Sequence, residues 1–166
     1  MASRYRVVVS MRSCGPLVRF LGTGTPLGLR GLHQSCILVE TRGHRVLVDC
    51  GMTALTSLGR IGIDPAEIDA VVISHLHGDH FGGLPLLLLE ATLRARSRPL
   101  TIARPAATRR RVEQALELFG WTSARIDAAT FVPLVPGVAA DRWLRGDGVR
   151  RRPRPGDSAD RPAPRR

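Results

Sequence analysis

Hydrophobic positions in the first half of the chain come in short, bounded blocks. The runs at 17–21 (LVRFL), 36–40 (CILVE), 45–49 (RVLVD) and 70–74 (AVVIS) are each flanked by Gly, Pro or polar residues and predict strands. The link TRGH at 41–44 is short and contains Gly, which suits a hairpin between the second and third runs. Residues 52–60 and 65–68 read as short helical pieces, the latter with Asp64 as N-cap and Pro65 at the first helical position. Farther on, GLPLLLLEATLRARS (83–97) has the length and composition of a helix, with Pro85 tolerable only in its first turn. PLTIAR (99–104) predicts another strand. ATRRRVEQALELFG (107–120) places Val112, Ala115, Leu116 and Phe119 on one face, with Gly120 as a stop. ATFVPLVPG (129–137) predicts an edge strand, so helix and strand alternate through the second half.

Composition narrows the picture. A chain of 166 residues, 43% of them apolar, has room for one domain with its own core. No run of eighteen apolar residues occurs, so no membrane span is expected, and the apolar patch at 7–9 is too short for a signal-peptide core. A cytoplasmic protein is the expectation. Cys14, Cys36 and Cys50 are odd in number and lack C-x-x-C spacing, which points to free thiols rather than a disulfide framework. The net charge of +11 comes from 25 basic residues, all Arg. Residues 141–166 carry nine Arg against four Asp and almost nothing apolar, so they predict a disordered tail beyond a folded part at 17–140. Residues 1–16 read as an extension.

The chemistry concentrates in SHLHGDHFGG, residues 74–83. His75, His77, Asp79 and His80 form H-x-H-x-D-H directly after an apolar strand. On extended backbone, residues i and i+2 point the same way, so His75 and His77 can chelate one ion while Asp79 and His80 turn toward a neighbouring position. Imidazoles with a carboxylate suit zinc, and also iron, manganese or cobalt. LGTGTP (21–26) fails the dinucleotide-binding pattern, because Leu27 stands where a third glycine is required, and reads as a structural turn. His33 and His44 are isolated and predict surface or hairpin positions, and Cys50 a packed side chain.

With FLGTGTP (20–26), CILVE, RVLVDCG (45–51) and IDAVVISHLHGDHFGGLP (68–85), the chain resembles the metallo-β-lactamase-fold hydrolase superfamily over roughly residues 17–103, and within it the ribonuclease Z-like branch. The resemblance implies an α/β fold, an αββα sandwich of which only the N-terminal half is complete in this chain. It also implies a metal-dependent hydrolase with two zinc ions. His75 and His77 would hold the first ion, and Asp79 and His80 the second. Asp79 would carry the catalytic proton transfer, and Asp49 would steady the ligand loop.

The resemblance stops there. The family pattern completes its sites with two more histidines and a bridging aspartate downstream, whereas no histidine follows His80. Asp147, in RGDG, lies in the tail with no apolar strand before it and is not expected to be a ligand. A truncated, catalytically inactive family member is therefore one reading, and a hydrolase of RNA or another phosphodiester the other. Two further expectations are a homodimer, with exposed apolar surface where a second sheet would pack, and nucleic-acid binding by the arginine tail.

Overall fold

The computed structural model describes residues 8–9 (backbone alone), 15–41 and 43–134. The tail at 141–166, with Asp147, and most of the 1–16 extension lie outside them. The described strands form one mixed sheet in sequence order: β1 (Val8–Val9), β2 (Leu17–Gly22), β3 (Cys36–Thr41), β4 (His44–Val48), β5 (Ala70–Val72), β6 (Thr101–Arg104) and β7 (Thr130–Pro133). Strands β1 to β4 pair antiparallel, and β4 to β7 run parallel. The change of direction follows from the connections. A tight turn joins β3 to β4 with Thr41 opposite His44, whereas each parallel pair is bridged by helical crossovers.

Those crossovers supply α1 (Ala54–Arg60), α2 (Gly78–Phe81), α3 (Leu84–Leu93) and α4 (Thr108–Leu118). The piece after Asp64 is a 3₁₀ turn, Pro65–Glu67, whose first free amide, that of Ala66, donates to the Asp64 carboxylate at 2.9 Å. The α3 helix ends earlier than the apolar run suggests. Ala95 takes φ 47°, its amide donates to the Thr92 carbonyl, and the Arg96 amide reaches back to the Ala91 carbonyl. That is the Schellman geometry usually closed by glycine. The Arg96 guanidinium then donates to the carbonyls of Pro65, Ile68, Arg98 and Pro99, which fixes the turn into β6.

Alternation in the strands assigns the two faces of the sheet. Cys36, Leu38, Leu47, Val71 and Ile102 point to the helices, where they form one buried cluster with Ala54, Leu58, Leu84, Leu87, Leu88, Val112 and Leu116. On α4 the expected face holds at Val112 and Leu116, both buried, but Phe119 lies past the helix end and is 44% exposed. The opposite face carries Val18, Ile37, Val39, Val48, Val72 and Val132, all half-buried and all outside that cluster. The described residues thus supply one helical layer on one sheet.

At the N-terminal ends of the parallel strands, buried Asp69 ties the sheet together. Its carboxylate accepts from the Arg45 amide at 2.7 Å and from the Arg98 guanidinium, while its backbone bonds to Arg45 and Thr101. Because β4, β5 and β6 are fixed at that end, their C-terminal ends emerge in register, and the histidine turn leaves from there.

Candidate metal centre

Asp49 directly follows β4 and takes φ 60°, a left-handed conformation that Asp tolerates better than most residues. Its side chain is buried, and four groups meet it. The Ser74 amide donates at 2.8 Å, the Ser74 hydroxyl lies 2.9 Å from both carboxylate oxygens, Ser35 Oγ donates at 3.3 Å, and His80 Nδ1 lies at 2.7 Å. The aspartate thereby takes over where the ladder stops. β5 ends at Val72, and Ser74 bonds to this carboxylate instead of to a strand.

The bonds fix how the imidazoles present their nitrogens. His80 Nδ1 carries a proton to donate to Asp49, which leaves its Nε2 as a lone pair. Ser74 has a single hydroxyl proton and gives it to Asp49, so toward His75 Nδ1, at 3.0 Å, its oxygen accepts. His75 therefore also carries its proton on Nδ1 and presents a bare Nε2. One buried carboxylate sets both tautomers.

The four residues of H-x-H-x-D-H lie together as two pairs. His75 Nε2 is 3.2 Å from His77 Nδ1, and His80 Nε2 is 3.5 Å from an oxygen of Asp79. The rings of His75 and His80 are 4.0 Å apart between centroids, and those of His75 and His77 4.6 Å. Ligands at about 2.1 Å around a tetrahedral ion stand roughly 3.4 Å from one another, so each pair has the spacing of one edge of such a site. Among the described residues no group of three or more His, Cys, Asp or Glu side chains is arranged to hold a single ion. The donor set fits two chelating edges with two protein ligands each. His75 and His77 are exposed, His80 is half-buried and Asp79 is buried, so the first pair faces solvent and the second lies deeper.

Close backbone approach holds the turn in place. The Cys50 amide donates to the His80 carbonyl at 2.6 Å, and the Gly83 amide to the Cys50 carbonyl at 2.8 Å. A side chain at Gly51 would collide with the Asp79 carbonyl and with Cβ of Gln34. Gln34 spans the same region, accepting from the Met52 amide at 2.7 Å and donating to the Pro26 carbonyl at 3.0 Å, which fastens the glycine-rich turn beside the histidines. The sequence alone did not single out Ser74, Ser35 or Gln34. A small hydroxyl residue directly before the first histidine was the available signal for Ser74. His44 opens β4 as expected, 3.5 Å from Asp69. His33 is not simply on the surface: half-buried, its Nδ1 lies 2.5 Å from the hydroxyl of buried Ser57, and burial, with Arg60 second, lowers its pKa. Cys36 and Cys50 are buried, as expected of packed thiols.

Over 108 residues the chain is 39% identical to ribonuclease BN of Enterobacter sp. (strain 638), a stretch covering 62% of this chain and 35% of that protein. It is 38% identical over 104 residues to ribonuclease Z of Anoxybacillus flavithermus, covering 61% and 33% respectively. The crystal structure of the short form of human tRNase Z, ELAC1, superposes with a TM-score of 0.58 at 31% identity, over 70% of this chain and 44% of that one. The fold and these relatives define a metallo-β-lactamase-fold protein of the ribonuclease Z-like branch. The chain spans about a third of the length of these curated relatives. Within the class, residues 17–119 match the family described as Anti-Pycsar protein Apyc1, and the chain belongs to that family.

Proposed function

We propose that the chain is a metal-dependent hydrolase of phosphodiesters, RNA among them, with its centre at the turn after β5. The observation that carries this reading is the pairing of donors: His75 with His77 at 3.2 Å and Asp79 with His80 at 3.5 Å, with Asp49 setting the tautomers of His75 and His80. His75 and His77 would hold one divalent ion, and Asp79 and His80 a second, with zinc the first candidate. Such ions supply electrophilic stabilisation of developing negative charge on a phosphoryl oxygen and promote ionisation of water near neutral pH.

This chain's own residues do the rest. Asp49 holds the protons of His75, through Ser74, and of His80 on Nδ1, so neither imidazole must reorient to offer Nε2. Asp79, buried beside His80 Nε2, would take a proton from water and return it to the leaving oxygen. The exposed His75 and His77 leave the centre open to a large substrate such as an RNA end. Among the described residues no helix is long and apolar enough to cross a membrane.

The test is release of nitrophenolate from bis(p-nitrophenyl) phosphate, and cleavage of a short RNA, with added zinc or manganese. Turnover that EDTA removes and that His75→Ala reduces by about 100-fold or more supports the proposal. Metal-independent turnover, or turnover unchanged in the variant, rejects it. A second reading is favoured by the count of two protein ligands per ion: a chain that keeps the fold and binds metal weakly without turnover. It predicts metal uptake with no hydrolysis in the same assay.

A further inference from the structure

The arginines of the described residues are distributed unevenly between the two ends of the parallel strands. At the N-terminal ends Arg45, Arg94, Arg98 and Arg125 each pair with a carboxylate. At the C-terminal ends, where the histidine turn leaves β5, Arg104 closes β6 and Arg109, Arg110 and Arg111 stand in the first turn of α4, which contains no acidic residue. Among the described residues no carboxylate pairs with Arg104, Arg110 or Arg111, and Arg109 pairs only with Glu113 one turn along the exposed helix, at 3.0 Å. We propose that these four arginines form the track on which a single-stranded RNA lies as it approaches the histidine turn. This rests on the reading of that turn as a phosphodiester centre.

The state of Arg104 points to an anion. Its side chain is half-buried, its guanidinium donates to the carbonyls of Pro105 and Ala106, and its Nε is shut from solvent with no acceptor among the described residues. A guanidinium withdrawn from water without a negative partner is costly, and a phosphate would supply that partner. Arg104 and Arg109 also both lie over the ring of Phe131, each 5.8 Å from its centroid. Stacked guanidinium and aromatic planes offer a flat cationic surface of the kind on which unpaired bases rest, whereas paired bases in a duplex are not free to do so.

Topology aligns the ridge with the centre. The Ile73 amide donates to the Ala103 carbonyl at 2.9 Å, so the end of β6 lies beside the segment that leads into Ser74 and His75. The Leu134 amide donates to the Arg104 carbonyl at 2.9 Å, which sets β7 next in the row. From the exit of β5 to β7 is two interstrand spacings, about 10 Å. A small phosphate ester held at the histidines would not extend that far. A chain of phosphates would, and the carboxyl ends of parallel strands are the edge where such sheets take their ligands.

The test is binding of a fluorescein-labelled oligouridylate carrying 4-thiouridine to the full 166-residue chain in EDTA, read by anisotropy across salt concentrations and by photo-crosslinking with peptide mapping. Single-strand binding loses about 0.7 in the slope of log K against log salt for each phosphate contact removed, so Arg109→Gln/Arg110→Gln/Arg111→Gln should lower the slope by about 2 and weaken binding by about tenfold or more. Arg94→Gln/Arg125→Gln, at the opposite edge, should leave both unchanged. Crosslinks are expected within residues 104–111 and at Phe131. An unchanged slope in the triple variant, crosslinks confined to the arginine-rich residues 141–166, or a labelled oligoglutamate binding as tightly as the RNA overturns the proposal. Should the triple variant fail to fold, the crosslinks on the wild-type chain decide. Metal and turnover enter neither readout, so absent hydrolysis rejects the proposed activity alone, and crosslinks confined to 141–166 with hydrolysis intact reject the track alone.

Discussion

At the scale of single residues, Asp49 carries the most consequences. Its carboxylate meets the Ser74 amide and hydroxyl, Ser35 Oγ and His80 Nδ1 in a buried setting, so Asp49→Ala leaves several donors without an acceptor. A loss of about 2–4 kcal/mol in unfolding free energy is expected, read by denaturant titration. Asp49→Asn separates support of the turn from control of the tautomers. The amide keeps the shape but places an N–H where an acceptor is needed. Zinc affinity measured by competition with a chromophoric chelator should fall by about 10–100-fold while the melting temperature moves little. The buried thiols make a second prediction. Burial, reinforced by Asp49, pushes the Cys36 thiol up to about 12, and burial raises that of Cys50 well above its ordinary value of 9.0. In the unfolded chain Cys36 ionises near 9.0 and in the folded chain only near about 12, so between them the unfolded state binds fewer protons. Stability is therefore unaffected by this group below pH 9.0 and falls as pH rises from there toward about 12, a decline that Cys36→Ala should flatten.

At the scale of elements, α3 joins the core to the turn that bears the histidines. Leu87 and Leu88 are fully buried against the sheet, while Leu93 at the far end is 74% exposed. Leu87→Ala should cost about 2–5 kcal/mol and Leu93→Ala less than about 0.5 kcal/mol, measured by chemical denaturation. These elements also show what could be read from sequence. Period-2 runs found β2 to β6 to within a residue or two, because a half-covered sheet enforces alternation. The ends were harder to read. The apolar run at 83–97 gives no sign that Ala95 turns left-handed, since that depends on Arg96 reaching carbonyls some thirty residues earlier in the chain. The short helix α2 was likewise hidden, because Gly78–Phe81 has no helical period and is held by Cys50 and Gly83 backbone contacts. In the centre, H-x-H-x-D-H was legible as a local motif and Asp49 through the resemblance. Ser74, Ser35 and Gln34 were not, since their roles rest on partners 8 to 25 residues distant in sequence.

At the scale of the whole molecule, the described residues form one helical layer on one sheet, with the centre at a sheet end and an apolar face beside it. Both features follow from the same register: strands fixed at Asp69 send the histidine turn out at their opposite ends, and alternation puts valines where no described helix lies. The central claim is that the two donor pairs hold divalent metal. Native mass spectrometry of the chain exchanged into zinc tests it most directly, because one spectrum reports both the folded charge distribution and the number of ions. The account predicts zinc retained on the folded wild-type chain and lost from a His75→Ala/Asp79→Ala variant that keeps the same compact charge distribution. Folded wild-type chain without zinc, or equal zinc on the variant, would contradict it.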